Sequence, residues 1–397
     1  MRRYLAAAVL VRLADEGSRV VLVLLALQRT GSARVGGLIV AAFVFPHVVA
    51  APWAGRLVDR AAQPRRILAA AAFGFAAALT FTALLMGNVT LVVVFAVLIT
   101  GGCCGPVITG SLTSQLPALV DAGTLPRAFG LDSLSYNVAG IVGPALGAVI
   151  AGALSPASAM YSLVASAALG GVVLGTLPLG GAVVRPDREE AHLAGIVIVF
   201  RQRVLALVTA ASSVGQIGAG SLPVVAAIVA VRQHHAAAAG YLMAAYAVGG
   251  LMGSLAWTLR PASPRNCPAV VMIALIGSGI PLAIAADVHR LIPTAMFFAL
   301  SGAFLGPMIG ALFTARNDEA PPHLRAQVFA FGAGVKTTAG ACGAALAGLL
   351  SHLATSSQLL VAASWPLVAG SLGLVALLVP HGRSRRPTED VLNVSPG

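Results

Sequence analysis

Long runs of apolar residues make up most of the chain, and short polar segments separate them. Asp, Glu, Lys and Arg are absent from eight stretches: residues 35–55, 67–120, 133–184, 204–231, 233–259, 266–286, 291–315 and 337–382. A helix needs about 20 mostly apolar residues to cross the hydrocarbon core of a bilayer, and each stretch is long enough. The apolar residues are continuous rather than alternating, so the pattern predicts membrane-spanning helices and excludes membrane-spanning strands.

Three of these stretches are long enough for two helices each. Turn-forming residues divide them at Gly87-Asn88, at Ser155-Pro156 and near residues 355–358. One more span is expected over residues 4–28, although four charged residues interrupt it: Arg12, Asp15, Glu16 and Arg19. The sequence therefore predicts an all-α integral membrane protein with about twelve transmembrane helices.

The composition agrees with a lipid environment. Hydrophobic residues make up 58% of the chain and charged residues 10%, whereas an ordinary soluble domain has roughly 45–50% and about 25%. The net charge of +12 is spread in short basic clusters between the apolar runs. Such clusters are typical of membrane anchors, and no basic face of a folded domain is evident, so nucleic-acid binding is not expected.

The distribution of basic residues predicts the orientation. The two chain ends and the loops after even-numbered spans together hold 18 of the 25 Lys and Arg residues, with Arg316 and Arg325 counted among them, and the opposite loops hold 4. Because basic residues concentrate on the cytoplasmic side, both termini are expected in the cytoplasm of a multi-pass cell-membrane protein. The single Lys, Lys336, and the abundance of Ala and Gly favour a bacterial source.

The two halves of the chain repeat each other. Three segments of the first half recur in order in the second half, at offsets of 200, 201 and 203 residues. The segments are Ala139-Gly140-x-x-Gly143-x-Ala145-Leu146, Gly101-x-x-x-Gly105-Pro106 and Gly37-x-x-x-Ala41-Ala42-Phe43, and their counterparts begin at Ala339, Gly302 and Gly240 (with Tyr246 in place of the last Phe). Three ordered matches at nearly one offset indicate an internal duplication.

The longest polar interruption, residues 181–203, falls near the middle of the chain, with six expected spans on each side. We expect residues 1–180 and 204–380 to form two six-helix bundles, residues 181–203 a cytoplasmic linker and residues 381–397 a cytoplasmic tail. Because each half has an even number of spans, both halves begin on the same side and the repeat is parallel. Two such bundles rock against each other around a site near the bilayer midplane.

The most specific motif of the chain follows the second span. It reads Gly55-Arg56-Leu57-Val58-Asp59-Arg60 and is followed by the basic pair Arg65-Arg66. It resembles the cytoplasmic signature of the major facilitator superfamily, Gly-x-Leu-x-Asp-Arg followed by a basic pair. The span count, the central linker and the repeat extend this resemblance over nearly the whole chain. The resemblance implies the major facilitator fold, and bacterial drug and siderophore exporters are the members that the chain most resembles.

Each residue of this motif has a physical interpretation. Gly55 permits a sharp turn on leaving a helix. Asp59 is expected to contact a helix amino terminus or a neighbouring Arg, which would hold one state of a cytoplasmic gate. Arg60, Arg65 and Arg66 would bind anionic lipid headgroups. The alternative is that these arginines only fix the topology of the chain.

A second motif lies in the fifth span and resembles the antiporter signature of the superfamily's exporters. Its residues are Ala139, Gly143, Pro144 and Gly147, with Ala139 and Ala148 in place of the usual glycines. Gly and Pro allow close helix contact and a bend, and the alternative to an antiporter role is generic small-residue packing. The fourth span, residues 90–115, lacks the Arg that many proton-coupled members carry, so coupling by that route is not expected.

The four charges of the first span need partners or water. Each would cost about 2.5–3.5 kcal/mol at the bilayer centre. Residues four apart meet along a helix, so Arg12 is expected to pair with Glu16 and Asp15 with Arg19. We interpret Asp15 or Glu16 as a cavity carboxylate that carries a proton or binds a cationic substrate. The alternative is a self-neutralised structural quartet, or a helix that starts later.

Further cavity candidates follow from position. Gln216 comes 201 residues after Asp15 and is a candidate neutral ligand, with an interhelical hydrogen bond as the alternative. Lys336 lies about 16 Å into a helix that starts near Arg325. It is expected to bind an anion or pair with Asp132; the alternative is that it snorkels to the surface. Two more candidates are Tyr136 and Asn137.

The predicted function is secondary export of a small amphipathic or apolar molecule by alternating access, in exchange for protons, by a chain that works as a monomer. No phosphate-binding loop, metalloprotease motif or nucleophile elbow occurs, and no cysteine has zinc-ligand spacing, so we expect no enzyme activity, cofactor or metal. The alternatives are an uptake permease of the same fold, a non-transporting membrane sensor and a membrane-embedded enzyme.

Overall fold

A computed structural model describes residues 1–179, 194–232, 238–350 and 352–379. The regular structure within these ranges is helical throughout, as the apolar runs predict. Most of the predicted linker and the whole predicted tail lie outside the described residues.

The α-helices of the described residues are α1 (Arg2–Thr30), α2 (Ala33–Val44), α3 (Pro46–Asp59), α4 (Pro64–Leu85), α5 (Leu91–Pro106), α6 (Leu125–Ala153), α7 (Pro156–Gly175), α8 (Ala194–Arg201), α9 (Arg203–Arg232), α10 (Ala238–Leu259), α11 (Cys267–Ala285), α12 (Leu291–Ala303), α13 (Leu305–Glu319), α14 (Arg325–Leu349) and α15 (Thr355–Leu378). A π-helical turn, Val107–Ser111, continues α5.

Twelve membrane spans result within the described residues. Ten segments are long and apolar enough to cross a bilayer, with α2 joined to α3, α5 to the π-helical turn, and α12 to α13. Two further long helices, α1 and α14, complete the set. Helix α1 is less apolar than the ten segments because it carries four charged residues near its centre. The short α8 lies in the predicted linker.

Proline accounts for the breaks inside single spans. Pro46 is the first residue of α3, and Pro106 ends α5 where the π-helical turn begins. In the second half, Pro307 follows the break between α12 and α13. A proline removes one backbone donor and crowds the preceding turn, which interrupts the regular hydrogen-bond pattern of a helix. The Gly-Pro pair that recurs between the halves thus marks the same discontinuity in spans 4 and 10.

Two helices begin earlier than the stretches without charged residues predict. Those stretches place the starts of the fifth and eleventh spans after Asp132 and after Lys336, whereas α6 begins at Leu125 and α14 at Arg325. The prediction that Arg316 lies in a loop is wrong, because this residue lies in α13 and is only 1% exposed. The predicted starts are wrong because Asp132 is buried and Lys336 half-buried within helices, and neither marks the end of a span.

The repeated glycine motif joins equivalent helix pairs. Helix α6 packs against α1, and α14 packs against α9. A Cβ added at Gly143 would lie 2.7 Å from the carbonyl oxygen of Leu13, and one at Gly343 would collide with the carbonyl group of Ile217. Small residues let two helix backbones approach closely, which favours association within a membrane. The duplication in sequence is therefore a duplication of this helix contact.

Close approaches between the first six and the last six spans lie on one side of the bundle, where α1 begins and α15 ends; we call it the terminal side. Helix α3 packs against α14, and α6 packs against α10 and α13. A Cβ at Gly55 would collide with the backbone of Gln327, and one at Gly130 would lie 2.6 Å from the Thr258 hydroxyl. In contrast, α2, the other part of the α3 span, packs against α1 and α5 of its own half.

We predict that Gly143→Ala destabilises the protein, because the added methyl group has no room between α6 and α1. Overpacking of this kind costs about 1–3 kcal/mol. Thermal unfolding of the purified protein in detergent is the measurement. Gly140→Ala is the matched control, since a Cβ there meets nothing within 4 Å. Equal melting temperatures for the two variants would contradict close packing at Gly143.

Candidate functional site

Three groups of charged residues with their polar partners lie inside the described part of the bundle. We call them the Arg12 network (Tyr4, Arg12, Thr113, Asp132, Ser135 and Tyr136), the Asp15 cluster (Asp15, Glu16, Arg19 and His47) and the basic pair (Arg316 and Lys336). The first two groups join α1 to neighbouring spans of the first half, and the basic pair lies on α13 and α14 of the second half.

The Arg12 network centres on a buried ion pair between α1 and α6. Arg12 Nη1 lies 2.7 Å from Asp132 Oδ1, and these side chains are 1% and 0% exposed. Asp132 also accepts hydrogen bonds from the Tyr4 hydroxyl, at 2.8 Å, and from Thr113 Oγ1, at 2.9 Å. Arg12 further donates to Thr113 and to Ser135.

These contacts correct two expectations. Arg12 pairs with Asp132 rather than with Glu16, and Asp132 is therefore not a partner of Lys336. The ring of Tyr136 covers the Arg12 guanidinium, with the Arg12 Cζ 3.6 Å from the ring centroid. The network is neutral in sum and fixes α1 against α6 and the end of span 4. Because both charges are desolvated, each one depends on the other for its stability.

The Asp15 cluster lies one turn farther along α1. Arg19 Nη2 contacts Asp15 Oδ2 at 2.8 Å, as expected, and Arg19 Nη1 contacts Glu16 Oε2 at 3.0 Å. Asp15 is 3% exposed, whereas Glu16 is 30% and Arg19 27% exposed. The cluster thus connects an accessible carboxylate to a buried one through a shared guanidinium.

His47 belongs to this cluster, and sequence reasoning missed it. Its Nε2 lies 3.7 Å from Asp15 Oδ1, and its side chain is 3% exposed. Both ring nitrogens are buried without a hydrogen-bond partner. The ring fits beside Gly105, where a Cβ would collide with it. A lone His in an apolar run carries no signal of its own; only the packing of α3 against its neighbours shows its position.

The charges of this cluster do not balance. Two carboxylates share one guanidinium, so the cluster has one net negative charge when both carboxylates are ionised and His47 is neutral. One added proton, on either carboxylate or on the imidazole, would neutralise it. An excess charge inside an apolar bundle is unfavourable, and a group that gains or loses a proton relieves or restores that cost. The arrangement is therefore chemically suited to proton binding.

Asp59 lies at the amino terminus of α14. Its Oδ1 accepts a hydrogen bond from the Ala326 amide at 3.0 Å, and its Oδ2 accepts one from the Gln327 amide at 3.1 Å. A carboxylate at a helix amino terminus satisfies unpaired amides and is attracted by the helix dipole. This contact joins the signature motif of the first half to the second half of the protein.

The other residues of the signature motif behave differently. Gly55 does not permit a turn, because α3 continues to Asp59. It is instead the point where α3 crosses α14 in backbone contact at Gln327. Leu57 is exposed, as are Arg60 and Arg66, and Arg65 is half-buried. Lipid binding by these arginines stays a prediction.

The fifth-span motif contributes packing. Ala139 is fully buried, and Gly143 and Gly147 face α1, with a Cβ at Gly147 only 2.6 Å from Val21 Cγ2. Pro144 lies inside α6. These contacts support the small-residue packing interpretation, and an antiporter role of the motif stays a prediction.

Gln216 and Asn137 lie in different surroundings. Gln216 borders an opening between helices of the second half, whose other lining residues include Tyr246, Ser278, Phe304 and Met308. Asn137 Nδ2 donates to Ser254 Oγ at 2.8 Å and so connects α6 to α10. Gln216 therefore lies beside a narrow opening, whereas Asn137 contributes to the contact between the two halves. Cargo binding by either residue stays a prediction.

Lys336 lies in α14, half-buried, and is close enough to Arg316 for the two cations to repel each other. The sequence does not predict Arg316 as a site residue, because the stretch without charged residues ends just before it and so places it in a loop. Near these residues, Phe129, Phe313 and Phe329 form an aromatic cluster with Tyr136, with ring centroids 5.8–6.2 Å apart. This cluster fills the terminal side between α6, α13 and α14.

Comparisons with known proteins agree with this architecture. The family model described as Major Facilitator Superfamily matches residues 4–344. An uncharacterized MFS-type transporter, y4rN of Sinorhizobium fredii, is 29% identical over 358 residues, which cover 87% of each chain. The multidrug efflux pump Tap of Mycolicibacterium fortuitum is 28% identical over 386 residues, 90% of each chain.

Among solved structures, a bacterial homologue of the iron transporter ferroportin in an outward-facing state has a TM-score of 0.74 at 16% identity. The match covers 94% of the present chain and 97% of that one. At this level of identity the likeness concerns the fold.

We predict that Asp132→Asn strongly destabilises the protein, since it leaves the Arg12 charge buried without a counter-ion. Breaking a buried pair by removing one partner costs about 3–5 kcal/mol. The unfolding midpoint in detergent measures the loss, and Asp287→Asn, at an exposed carboxylate, is the control. The double variant Arg12→Gln with Asp132→Asn should recover part of the loss. No recovery in the double variant would argue against a direct charge dependence.

Proposed function

The chain belongs to the major facilitator superfamily, and from that premise we propose that it is a secondary exporter of a small amphipathic molecule, driven by protons that bind to and leave the Asp15 cluster. The observation that carries the proposal is the cluster itself: an accessible carboxylate and a buried carboxylate share one guanidinium, and a buried imidazole lies 3.7 Å from the buried carboxylate. Ionisable residues inside a membrane span are rare and costly, which supports a functional role for this cluster.

The terminal side is assigned to the cytoplasm in this proposal. The excess of basic residues on that side supports the assignment. Because the two halves meet there, the described conformation would be closed to the cytoplasm and open toward the outside. Residues 1–180 and 204–380 would act as the two moving units of a monomer, and the site would be reached alternately from each side.

Helix α3 supplies a physical connection between protonation and the gate. His47 is near its beginning and reaches Asp15, whereas Asp59 is at its end and caps α14. A Cβ at Gly334 of α14 would lie 2.8 Å from the carbonyl oxygen of His47, so the beginning of α3 also lies against α14. A proton that changes the His47–Asp15 contact would shift α3, and a shift of α3 acts directly on α14.

The relatives support the choice of cargo and direction. The Tap proteins are named multidrug efflux pumps, and the opening beside Gln216 is lined largely by apolar residues. An amphipathic molecule suits such a lining. One proton entering through a potential of 100 mV provides about 2.3 kcal/mol, and one pH unit adds about 1.4 kcal/mol. This energy supports efflux without ATP.

The testing experiment is the accumulation of a panel of drugs in a pump-deficient bacterial strain that expresses the chain. We expect lower accumulation than in the empty strain, and we expect a protonophore to abolish the difference. Higher accumulation would indicate uptake and contradict export. Lower accumulation that persists with the protonophore would contradict coupling to protons.

We predict that Asp15→Asn and Glu16→Gln each slow proton-driven export at least about tenfold, because the site loses a proton-binding group whose charged and neutral forms differ in energy. The same variants in proteoliposomes should retain exchange of cargo across the membrane without a gradient, because that exchange needs no net proton movement. Asp121→Asn, at an exposed loop carboxylate, is the control. Wild-type rates of driven export in both variants would refute the role of the cluster.

We also predict that Asp59→Ala opens the terminal side, because α14 loses the carboxylate that caps two of its amides. Loss of such a cap costs about 0.5–2 kcal/mol, which corresponds to a shift in population of about 2- to 30-fold. Spin labels on cysteines that replace Arg66 and Pro322, which are exposed on opposite halves, would report the distance on a cysteine-free background. An unchanged distance distribution would show that the cap does not hold the gate closed.

A further inference from the structure

Arg316 is a buried cation without a counter-ion among the described residues. Its side chain is 1% exposed, and its Nε and Nη2 are buried with no hydrogen-bond partner. The ion pairs of the described residues do not include it. A buried charge normally has a partner, because its desolvation is otherwise uncompensated. The position of Arg316 therefore calls for an anion from elsewhere.

The internal repeat shows where that anion is missing. Helices α6 and α14 begin at Leu125 and Arg325, so Asp132 and Gly332 occupy equivalent positions at the repeat offset of 200. In the first half, a guanidinium lies against this position and binds the carboxylate of Asp132. In the second half, the Arg316 guanidinium lies against Gly332, where a Cβ would collide with it. A guanidinium thus lies against this position in both halves, from α1 in the first and from α13 in the second, but only the first half has a carboxylate there.

Lys336 adds a second cation at the same place. It follows Gly332 by four residues and so lies one turn farther on the same face of α14. Its counterpart in the repeat is Tyr136, which covers the Arg12 guanidinium in the first half. In the second half, an ammonium replaces the ring and repels Arg316. Two adjacent cations of this kind attract a doubly accepting anionic group more strongly than either alone.

The carboxylates of the neighbouring spans are already engaged. Asp132 binds Arg12, and Asp15 and Glu16 share Arg19. Asp59 caps α14. Within the described part of the chain, neither Arg316 nor Lys336 makes an ion pair with a carboxylate.

An apolar site adjoins the basic pair along α14. Gly340, one turn beyond Lys336, lies next to Gln216, with a Cβ there 3.5 Å from Gln216 Nε2. Gln216 borders the opening that Tyr246 and Phe304 line. Along this face of α14, Gly332 thus lies beside the Arg316 guanidinium, Lys336 carries the ammonium, and Gly340 lies beside the Gln216 amide.

We propose that Arg316 and Lys336 form a subsite for the acidic group of an organic cargo, a carboxylate, sulfonate or phosphate, whose apolar part occupies the opening beside Gln216. The proposal rests on the function proposed above, because it assumes that this opening receives cargo. The acidic group of the cargo takes the place that the Asp132 carboxylate has in the first half. Amphipathic organic acids are therefore the substrate class.

The test measures binding rather than transport. Aromatic carboxylic acids of increasing size, beginning with 2-naphthoate, are each compared with the uncharged amide of the same shape. The full-length protein is held in nanodiscs of zwitterionic lipid. We expect at least one acid to bind about tenfold or more tightly than its amide. Failure of every acid to exceed its amide would overturn the proposal.

Variants at Gly332 give the sharpest contrast. Gly332→Asp supplies the missing carboxylate within the chain and should abolish the preference for acids, whereas the isosteric Gly332→Asn should keep it. The side chain that each one meets is the flexible end of Arg316, which can move aside. Equal preferences in these two variants would contradict the proposal.

Lys336 and a control variant complete the set. Lys336→Gln should remove most of the preference, and Lys336→Arg should restore it, because the charge is kept. Arg290→Gln, at an exposed cation, should have no effect. Loss of the preference in Arg290→Gln to the same extent would show a non-specific effect of charge and would overturn the proposal.

The source of the anionic group is tested in the same assay. Phosphatidylglycerol added to the nanodiscs should not compete with the acid, and competition would assign the site to a lipid headgroup and overturn the proposal. The binding assay tests the acid subsite and the accumulation assay tests export, so either proposal can be refuted without the other. Preferential acid binding without export would refute export alone, whereas export of uncharged drugs without acid preference would refute the acid subsite alone.

Discussion

The burial of charge in an apolar helical bundle is the constraint on which the rest of the structure depends. A charged side chain at this depth needs a partner, and the Arg12–Asp132 pair is the fullest example, with both side chains essentially inaccessible. The pair fixes α1 against α6 and, through Thr113, against the end of span 4. This fixed geometry determines where the next turn of α1 lies, and that turn carries Asp15, Glu16 and Arg19.

Helix α14 is the element at which the two halves meet. Asp59 caps its amino terminus, Gly55 touches it in backbone contact, and a Cβ at Gly110 would lie 2.5 Å from the carbonyl oxygen of Phe329. The two glycine contacts have no side chain that could adapt, so the helices there are either in close contact or fully separated. A two-state contact of this kind suits alternating access, because packed interfaces change between discrete arrangements rather than deform continuously.

The two halves have equivalent helix contacts but different charged residues inside the bundle. Gly143 and Gly343 make equivalent contacts with α1 and α9, yet Asp132 of the first half corresponds to Gly332 of the second, and Tyr136 corresponds to Lys336. The first half has a neutralised guanidinium beside the Asp15 cluster, whereas the second half has two cations next to an apolar opening. We infer a division of roles, with proton binding in the first half and cargo binding in the second.

The sequence by itself determined the helical class, the number of spans, the duplication and the family, because the length of an apolar run and the spacing of small residues are local properties of the chain. It also predicted a helix amino terminus as one of two possible contacts of Asp59. It misassigned the partner of Arg12, placed Arg316 in a loop and missed His47. Only the tertiary structure decided these points, since Arg12 and Asp132 are 120 residues apart and the side chains of His47 and Asp15 come from different helices. The partner of a buried charge is set by the packing of distant helices, which no local pattern of hydrophobicity records.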